Sequence, residues 1–226
     1  MEYTQSSEIL FGTMSVPTRE LVMSARWPRH LTLTCVKSVI DSFARDLDAS
    51  DYDCLIVQDD ATTIGAIREM GITTPIVSLI PGTNASARIA ALQAGADDCL
   101  GPVFAISELI VRTESLCRRT NGLDLRKQVR DSHVSLSVET QSATLNGKTV
   151  TLTLTESLIL RLFLENQNRL LSAAQVGRHV WGEEFGASNN LVCVHIANLR
   201  RKMTSLPWPQ PIRTIRGRGY MLSPPA

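Results

Sequence analysis

The sequence predicts an α/β chain of two units in tandem, a doubly wound parallel sheet followed by a smaller winged helix-turn-helix. Three observations predict it. Residues 8–119 alternate short apolar runs with runs of helical period, five of each, which is the pattern of a parallel sheet covered by its crossover helices. Near the other end, Val192, Ile196, Leu199 and Met203 fall at i, i+4, i+7 and i+11, one apolar stripe of a helix with a basic end. Then Ile212-Arg-Thr-Ile-Arg-Gly-Arg-Gly-Tyr220 reads as a short β-hairpin, with Arg216 and Arg218 between glycines at its tip. A helix sized for a major groove beside a basic hairpin is the physical description of a winged helix-turn-helix.

In the first half, Ile9-Leu10-Phe11 is a short apolar strand, and Thr18–Arg26 is helical in pattern. Leu31–Val36 is β-rich and Val39–Leu47 helical. Cys54–Val57 is a fully apolar strand, followed by a helix over Thr62–Met70 that Gly71 ends. Pro75–Ile80 is a strand. Asn84 caps a helix over Ala85–Gln93, and Gly95 closes it. Cys99-Leu100 is a last short strand and Ala105–Arg118 the last helix. The polar, basic stretch 122–132 reads as a connector, which divides the chain into 1–121, 122–132 and 133–226.

In the second half, Val134–Val138 alternates apolar and polar, and Asn146-Gly147 is a hairpin signal between two β-rich runs. Thr153 with Glu156 three residues on is a capping box, opening a helix through Leu158, Ile159, Leu162 and Phe163. Ser172 starts the next helix, whose Val176, Val180 and Trp181 face inward. Between the stripe residues of the third helix, Asn190, Leu191, Val194, Ala197, Asn198 and Arg201 are expected to point outward.

Composition narrows the function classes. Residues 1–130 hold 13 Lys/Arg against 16 Asp/Glu, and residues 131–226 hold 10 against 6. A whole-chain charge of +1 therefore hides a basic second half, where a polyanion would bind. The five cysteines (35, 54, 99, 117, 193) are odd in number and form no Cys-x-x-Cys pair, which reads as reduced thiols rather than a disulfide framework. No apolar run approaches the ~20 residues of a membrane span, and the first residues lack a secretory pattern. The expectation is a cytoplasmic binding protein, not an enzyme, with no cofactor and no metal.

Four segments of the second half carry a specific resemblance. They are Leu152-Thr-x-x-Glu156, Val180-Trp-Gly182, Val192-Cys-Val-His-Ile-x-x-Leu-Arg-Arg-Lys202 and Ile212–Tyr220. Together they resemble the effector domain of OmpR/PhoB-type response regulators over nearly all of residues 134–222. The resemblance implies duplex DNA as ligand, with the third helix in the major groove. Asn198 then suits a bidentate contact to adenine, and Leu191 and Val194 suit thymine methyls. Asn190, His195, Arg200 and Arg201 are placed for phosphates or groove edges. His195 has a competing reading as a packing residue, and Cys193 reads as an inert small residue. In the wing, Arg216 suits a narrow minor groove, Arg218 flanks it, and Thr214 suits a phosphate. Trp181 reads as core, with its indole N–H near a phosphate. The loop Glu183–Ser188 resembles the segment that relatives use to touch RNA polymerase.

Residues 8–119 resemble the receiver domain of the same family, most closely at Gly95-Ala-Asp-Asp-Cys-Leu100. The chemistry of that family is missing. The phosphoacceptor aspartate is replaced by Gln58, the acidic pair by the surroundings Thr13, Met14 and Ser15, the hydroxyl by Ile80 and the lysine by Pro102. An amide forms no acyl phosphate, and no carboxylate pair remains at the first strand for a hard cation. Asp59 and Asp60 read as solvated loop residues, because a one-residue shift turns a strand side chain to the other face. Arg88, Asp97, Asp98, Glu108, Arg112 and Arg119 lie where the family's members pair across a two-fold axis, which implies a homodimer. The competing reading of Glu108 and Arg112 is a local i,i+4 ion pair. An alternative keeps DNA binding but makes the first unit a sensor of a small ligand, a partner protein or redox state, the last through Cys54 or Cys99.

Overall fold

The computed structural model describes residues 6–45, 47–58, 60–121, 129–130, 134–182, 189–208 and 212–222, and at 119–121, 129–130 and 189 the backbone alone. The chain forms two compact units, Met1–Gly122 and Leu123–Ala226. The strands and helices of the first are β1 (Ser7–Thr13), α1 (Val16–Met23), β2 (Leu31–Val36), α2 (Val39–Arg45), β3 (Cys54–Gln58), α3 (Ala61–Glu69), β4 (Ile76–Leu79), α4 (Ala85–Ala94), β5 (Asp98–Leu100) and α5 (Ile106–Asn121). The strands are parallel in the order β2-β1-β3-β4-β5, so the chain winds outward from β1 in both directions, as expected.

Period-2 alternation divides the sheet's side chains between its faces. Ile9, Phe11, Cys54, Ile56, Val77 and Leu79 share one core with Val22 of α1 and Leu109 and Leu116 of α5. Helix α1 begins at Val16, two residues before the expected Thr18, because Ser15 caps it and Pro17 occupies its first turn. It stops at Met23, so Arg26 lies outside it.

Two ion pairs correct the expected dimer face. Asp97 is 0 % exposed. Its Oδ2 accepts hydrogen bonds from Arg68 Nη2 at 2.9 Å and from the Ile76 amide at 3.0 Å. Arg68 also donates to the carbonyls of Ile72, Thr74 and Gly95. Asp97 therefore joins α3 to the start of β4 and β5, and is no surface charge. Asp98 is buried as well and accepts from Arg112 Nη1 at 2.7 Å, while Glu108 accepts from Arg112 Nη2 at 2.8 Å. Arg88 is exposed. The Arg119 side chain lies outside the described residues.

The second unit comprises β6 (Val129–Arg130), β7 (Val134–Ser137), β8 (Ser142–Leu145), β9 (Lys148–Thr151), α6 (Leu154–Glu165), α7 (Ala173–Trp181), α8 (Asn189–Met203), β10 (Ile212–Ile215) and β11 (Gly219–Leu222). Strands β6 to β9 form an antiparallel meander and β10 to β11 a separate hairpin. Strand β6 falls within the stretch expected to be a connector, pairing with β7 through Val129–Leu136 and Arg130–Ser135. The β8–β9 turn has φ of 48° at Asn146 and 78° at Gly147, the left-handed pair that a two-residue hairpin needs. Both capping boxes form, Thr153–Glu156 on α6 and Ser172–Gln175 on α7. Glu156, itself buried, also binds Lys202 Nζ at 2.7 Å, tying the start of α6 to the end of α8.

Arg68→Met is expected to leave the Asp97 carboxylate buried without its cation. The first unit should lose ~3–5 kcal/mol in urea unfolding, and a midpoint equal to that of the parent would contradict this account of β4 and β5.

Candidate nucleic-acid interface

Helix α8 is held on two sides. Val192, Ile196, Leu199 and Met203 are buried, as expected from the stripe. Leu191, His195 and Asn198 are buried too, His195 to 1 % and Asn198 to 2 % exposure. At 100° per residue these seven positions cover ~160° of the helix. The expectation that Leu191 and Asn198 point outward is therefore corrected, and His195 is a packing residue. The cause is that α6 and α7 both pack against α8, which buries a second row, 191/195/198, beside the apolar one. The His195 ring lies 5.4 Å from that of Trp181, and Trp181 is itself buried. Asn198 Oδ1 accepts from Arg201 Nη2 at 3.2 Å, so the amide supports an arginine instead of facing a groove.

The outward face of α8 is Asn190, Cys193, Ala197 and Arg201, all exposed, with Val194 and Arg200 half-buried at its margins. Cys193, which reads as inert in sequence, is exposed on this face, on the side toward Arg200 and the wing. Its helical angle relative to Asn190 and Ala197 is the signal that shows it. Helix α7 contributes the capped, buried support beneath, through Val176, Val180 and Trp181.

The wing stands beside this face. In β10, Thr214 is exposed, and so are Arg216 and Arg218 at the tip. Arg213 is also exposed, and strand alternation outward from the buried Ile212 would have found it. Arg200 lies at the junction. Its Nε donates to the Ile212 carbonyl at 2.7 Å and its Nη2 to Thr214 Oγ1 at 2.9 Å. Its guanidinium carbon stands 5.9 Å from the centre of the Tyr220 ring. Cys193 Sγ and Tyr220 Oη are 3.0 Å apart. Burial, then the Cys193 thiol, push the Tyr220 phenol up to about 12, so the phenol keeps its proton at neutral pH. Strand β11 is fastened from the other side, where Leu171 and Tyr220 exchange backbone hydrogen bonds at 2.9 and 2.8 Å. At Gly219 (φ 142°) a Cβ would stand 2.1 Å from the Leu171 carbonyl oxygen, so only glycine allows that approach.

The strand-end crevice of the first unit has a different character. Thr13 and Gln58 are register partners at the ends of β1 and β3. Thr13 Oγ1 donates to Gln58 Oε1. Gln58 Nε2 donates to Thr18 Oγ1 at 2.9 Å, Thr18 Oγ1 is 3.0 Å from Ser15 Oγ, and the Ser15 amide donates to Thr13 Oγ1 at 3.0 Å. The result is a closed ring of uncharged groups. Asp60 is exposed and caps α3, accepting from the Thr62 and Thr63 amides. Asp59 and the loop Glu183–Ser188 lie outside the described residues. Among the described residues, no group of three or more His, Cys, Asp or Glu is placed to hold a metal ion. No described helix is long and apolar enough to cross a membrane.

Residues 147–222 match the family described as "Transcriptional regulatory protein, C terminal". Response regulator MprA of Mycobacterium avium (strain 104) is 34% identical over 188 residues, covering 79% of this chain and 82% of the relative. Response regulator protein PmrA of Pseudomonas aeruginosa is 37% identical over 160 residues, covering 71% and 70%. The chain belongs to the OmpR/PhoB-type response regulators. Its second unit is the family's DNA-binding domain. Among solved structures, a mutant of RitR superposes with a TM-score of 0.77 over 96% of this chain and 99% of that one, at 18% identity, a likeness of fold. As an OmpR/PhoB-type regulator the chain presents α8 and the β10–β11 wing side by side, and its receiver-like unit carries Gln58 at the end of β3.

Cys193 is the exposed thiol, whereas Cys35 is half-buried and Cys54, Cys99 and Cys117 are buried. A maleimide is therefore expected to label Cys193 first in the native protein, and bound duplex DNA should slow that reaction. Labelling at equal rates with and without saturating DNA would remove this face from the interface.

Proposed function

We propose that this chain is a sequence-specific, dimeric transcription regulator that binds promoter DNA without aspartyl phosphorylation. The observation that carries the second half of that reading is the ring Thr13–Gln58–Thr18–Ser15. Phosphoryl transfer to a receiver needs a carboxylate nucleophile and a cation held by further carboxylates. Here the nucleophile position is an amide with both its oxygen and its nitrogen bonded to threonine hydroxyls. The hydroxyls tie α1 to the end of β3. Asp60 is spent as a helix cap.

In the DNA complex, α8 enters the major groove with Asn190, Cys193, Val194, Ala197 and Arg201 toward the bases and their flanking phosphates. Arg216, with Arg218 and Arg213 beside it, reaches the minor groove or its phosphates. Trp181, His195, Leu191 and Asn198 act from behind as the packed support of that face. The proposed dimer uses the sheet edge at β5, with exposed Arg88, Ile89 and Val111 on α4 and α5. The Asp98–Arg112–Glu108 network stiffens it. RNA polymerase is the proposed protein partner, through residues 183–188, and the cytoplasm the proposed compartment.

A redox-sensing first unit is less favoured. Cys54 and Cys99 are both buried. The Cys117 thiol and burial push Cys54 well above the ordinary thiol range, and burial with the Asp98 charge does the same to Cys99. Reactive thiols are exposed and poised as thiolates, and these are neither.

Incubation of the full chain with acetyl phosphate and Mg²⁺ is expected to leave its intact mass and its DNA affinity unchanged. A phosphoryl adduct that disappears in Asp59→Ala would overturn the phosphorylation-independent reading. Val111→Arg is expected to raise the dimer dissociation constant at least ~10-fold in sedimentation equilibrium, a loss of about 1.4 kcal/mol. A dimer of undiminished strength would move the interface elsewhere.

A further inference from the structure

We propose that Arg200 is a positioning residue that clamps the wing to the recognition helix, so setting the spacing between the contacts of α8 and those of Arg216. In this role it is not a phosphate ligand. The proposal rests on the DNA-binding reading above and concerns how the two reading elements are held in register.

The geometry is that of a clamp. Arg200 belongs to α8, and both its directed hydrogen bonds end on β10, one on the Ile212 carbonyl and one on the Thr214 hydroxyl. Those two residues lie two apart on one strand, so the planar guanidinium meets the strand at two points. Its guanidinium carbon stands over the Tyr220 ring on β11, the partner strand, 5.9 Å from the ring centre. Cys193, two helical turns earlier on α8, reaches the Tyr220 hydroxyl. Helix α8 thus touches both strands of the hairpin. Burial pulls the Arg200 pKa down from its usual value, as expected of a guanidinium drawn partly out of water, while it stays charged at neutral pH.

A wing needs such a fastening. A two-stranded hairpin is marginal by itself. The Leu171–Tyr220 bridge holds β11 from the α7 side, while β10 is held by its pairing with β11 and by the buried Ile212 at its start. Arg200 supplies a further point of attachment, on the strand that leads directly into Arg216. Thr214, expected from sequence to meet a phosphate, is instead the acceptor of this clamp. A lysine in place of Arg200 keeps the charge but loses the two-point planar bond. Charge conservation therefore separates the clamp from a simple phosphate contact, which a lysine serves well as a point charge.

The test is a double-mutant cycle on the full chain, read by fluorescence anisotropy on a duplex that the parent protein selects. Arg216→Ala is expected to weaken binding ~10-fold and to flatten the salt slope by about one unit in the parent. In an Arg200→Lys background the same substitution should cost less than ~2-fold, because a wing no longer held in place gains little from its arginine. Thr214→Val, an exposed and neutral change, should weaken binding in the same direction by a smaller factor. The clamp is refuted if Arg200→Lys binds like the parent, or if the two losses multiply. Hydrogen exchange of the unliganded full chain reads the clamp without DNA. Arg200→Lys should speed exchange at Ile212–Leu222 and leave α6 unchanged, and unaltered exchange in the hairpin refutes the proposal even if no duplex is bound. A parent protein that binds no duplex, with faster hairpin exchange in Arg200→Lys, counts against the DNA reading and for the clamp.

Discussion

Helix α8 is gripped over about 160° of its circumference, and that grip determines what the rest of the second unit can be. A reading helix must expose one face and be immobile on every other. Here α6 and α7 supply the rear wall, Trp181 and His195 fill one flank, and Lys202 is anchored on Glu156. Arg200 closes the side toward the wing. Glu156 caps α6 and receives Lys202 with the same carboxylate, so the start of one helix and the end of another are fixed by one buried group. What is left outward bears little charge: Asn190, Cys193 and Ala197, with Arg201 at its end and the half-buried Val194 and Arg200 at its margins. Such a face favours recognition by shape and apolar contact in its middle and leaves most of the electrostatic attraction to the arginines of the wing.

The first unit keeps the architecture of a switch while its trigger position is filled by a ring of neutral hydrogen bonds. Replacing carboxylates by hydroxyls and an amide removes both the nucleophile and the repulsion that a divalent cation would relieve. The crevice is thereby satisfied internally, and it holds α1 against β3 without an added ligand. The buried Asp97–Arg68 pair does comparable work at the other end of the strands, where carbonyls of Ile72, Thr74 and Gly95 gather around one guanidinium. Both devices tie helices to strand ends inside the unit, through α1 and β3 in one case and α3, β4 and β5 in the other.

Most of this was legible in the sequence, and the departures lie where elements distant in sequence meet. Element order, the Thr153 and Ser172 capping boxes, the Asn146-Gly147 turn and the Asn84 cap follow from local chemistry, and the structure has them where the residues indicate. The register of β3 against β1, which pairs Gln58 with Thr13, agrees with the resemblance to a receiver. Leu191 and Asn198 read as outward in sequence because hydrophobicity marks one buried row, while a helix packed against two others buries two. Polar residues on the second row, His195 and Asn198, look like ligand-binding groups in sequence and are packing groups in space. Asp97 reads as a surface charge in sequence for a different reason. Its partner Arg68 lies 29 residues away, and nothing local announces that the two meet inside the domain.

The central claim is that this chain reads duplex DNA through α8 and the wing in the state to which it folds, with no phosphoryl group or metal. In-vitro selection from a random duplex library, with unphosphorylated full chain in EDTA at low ionic strength, tests it most directly. The account predicts an enriched motif, with repeated half-sites one helical turn apart or a multiple of it if two protomers bind together. A library that emerges unenriched, from protein whose wing is intact, would contradict it.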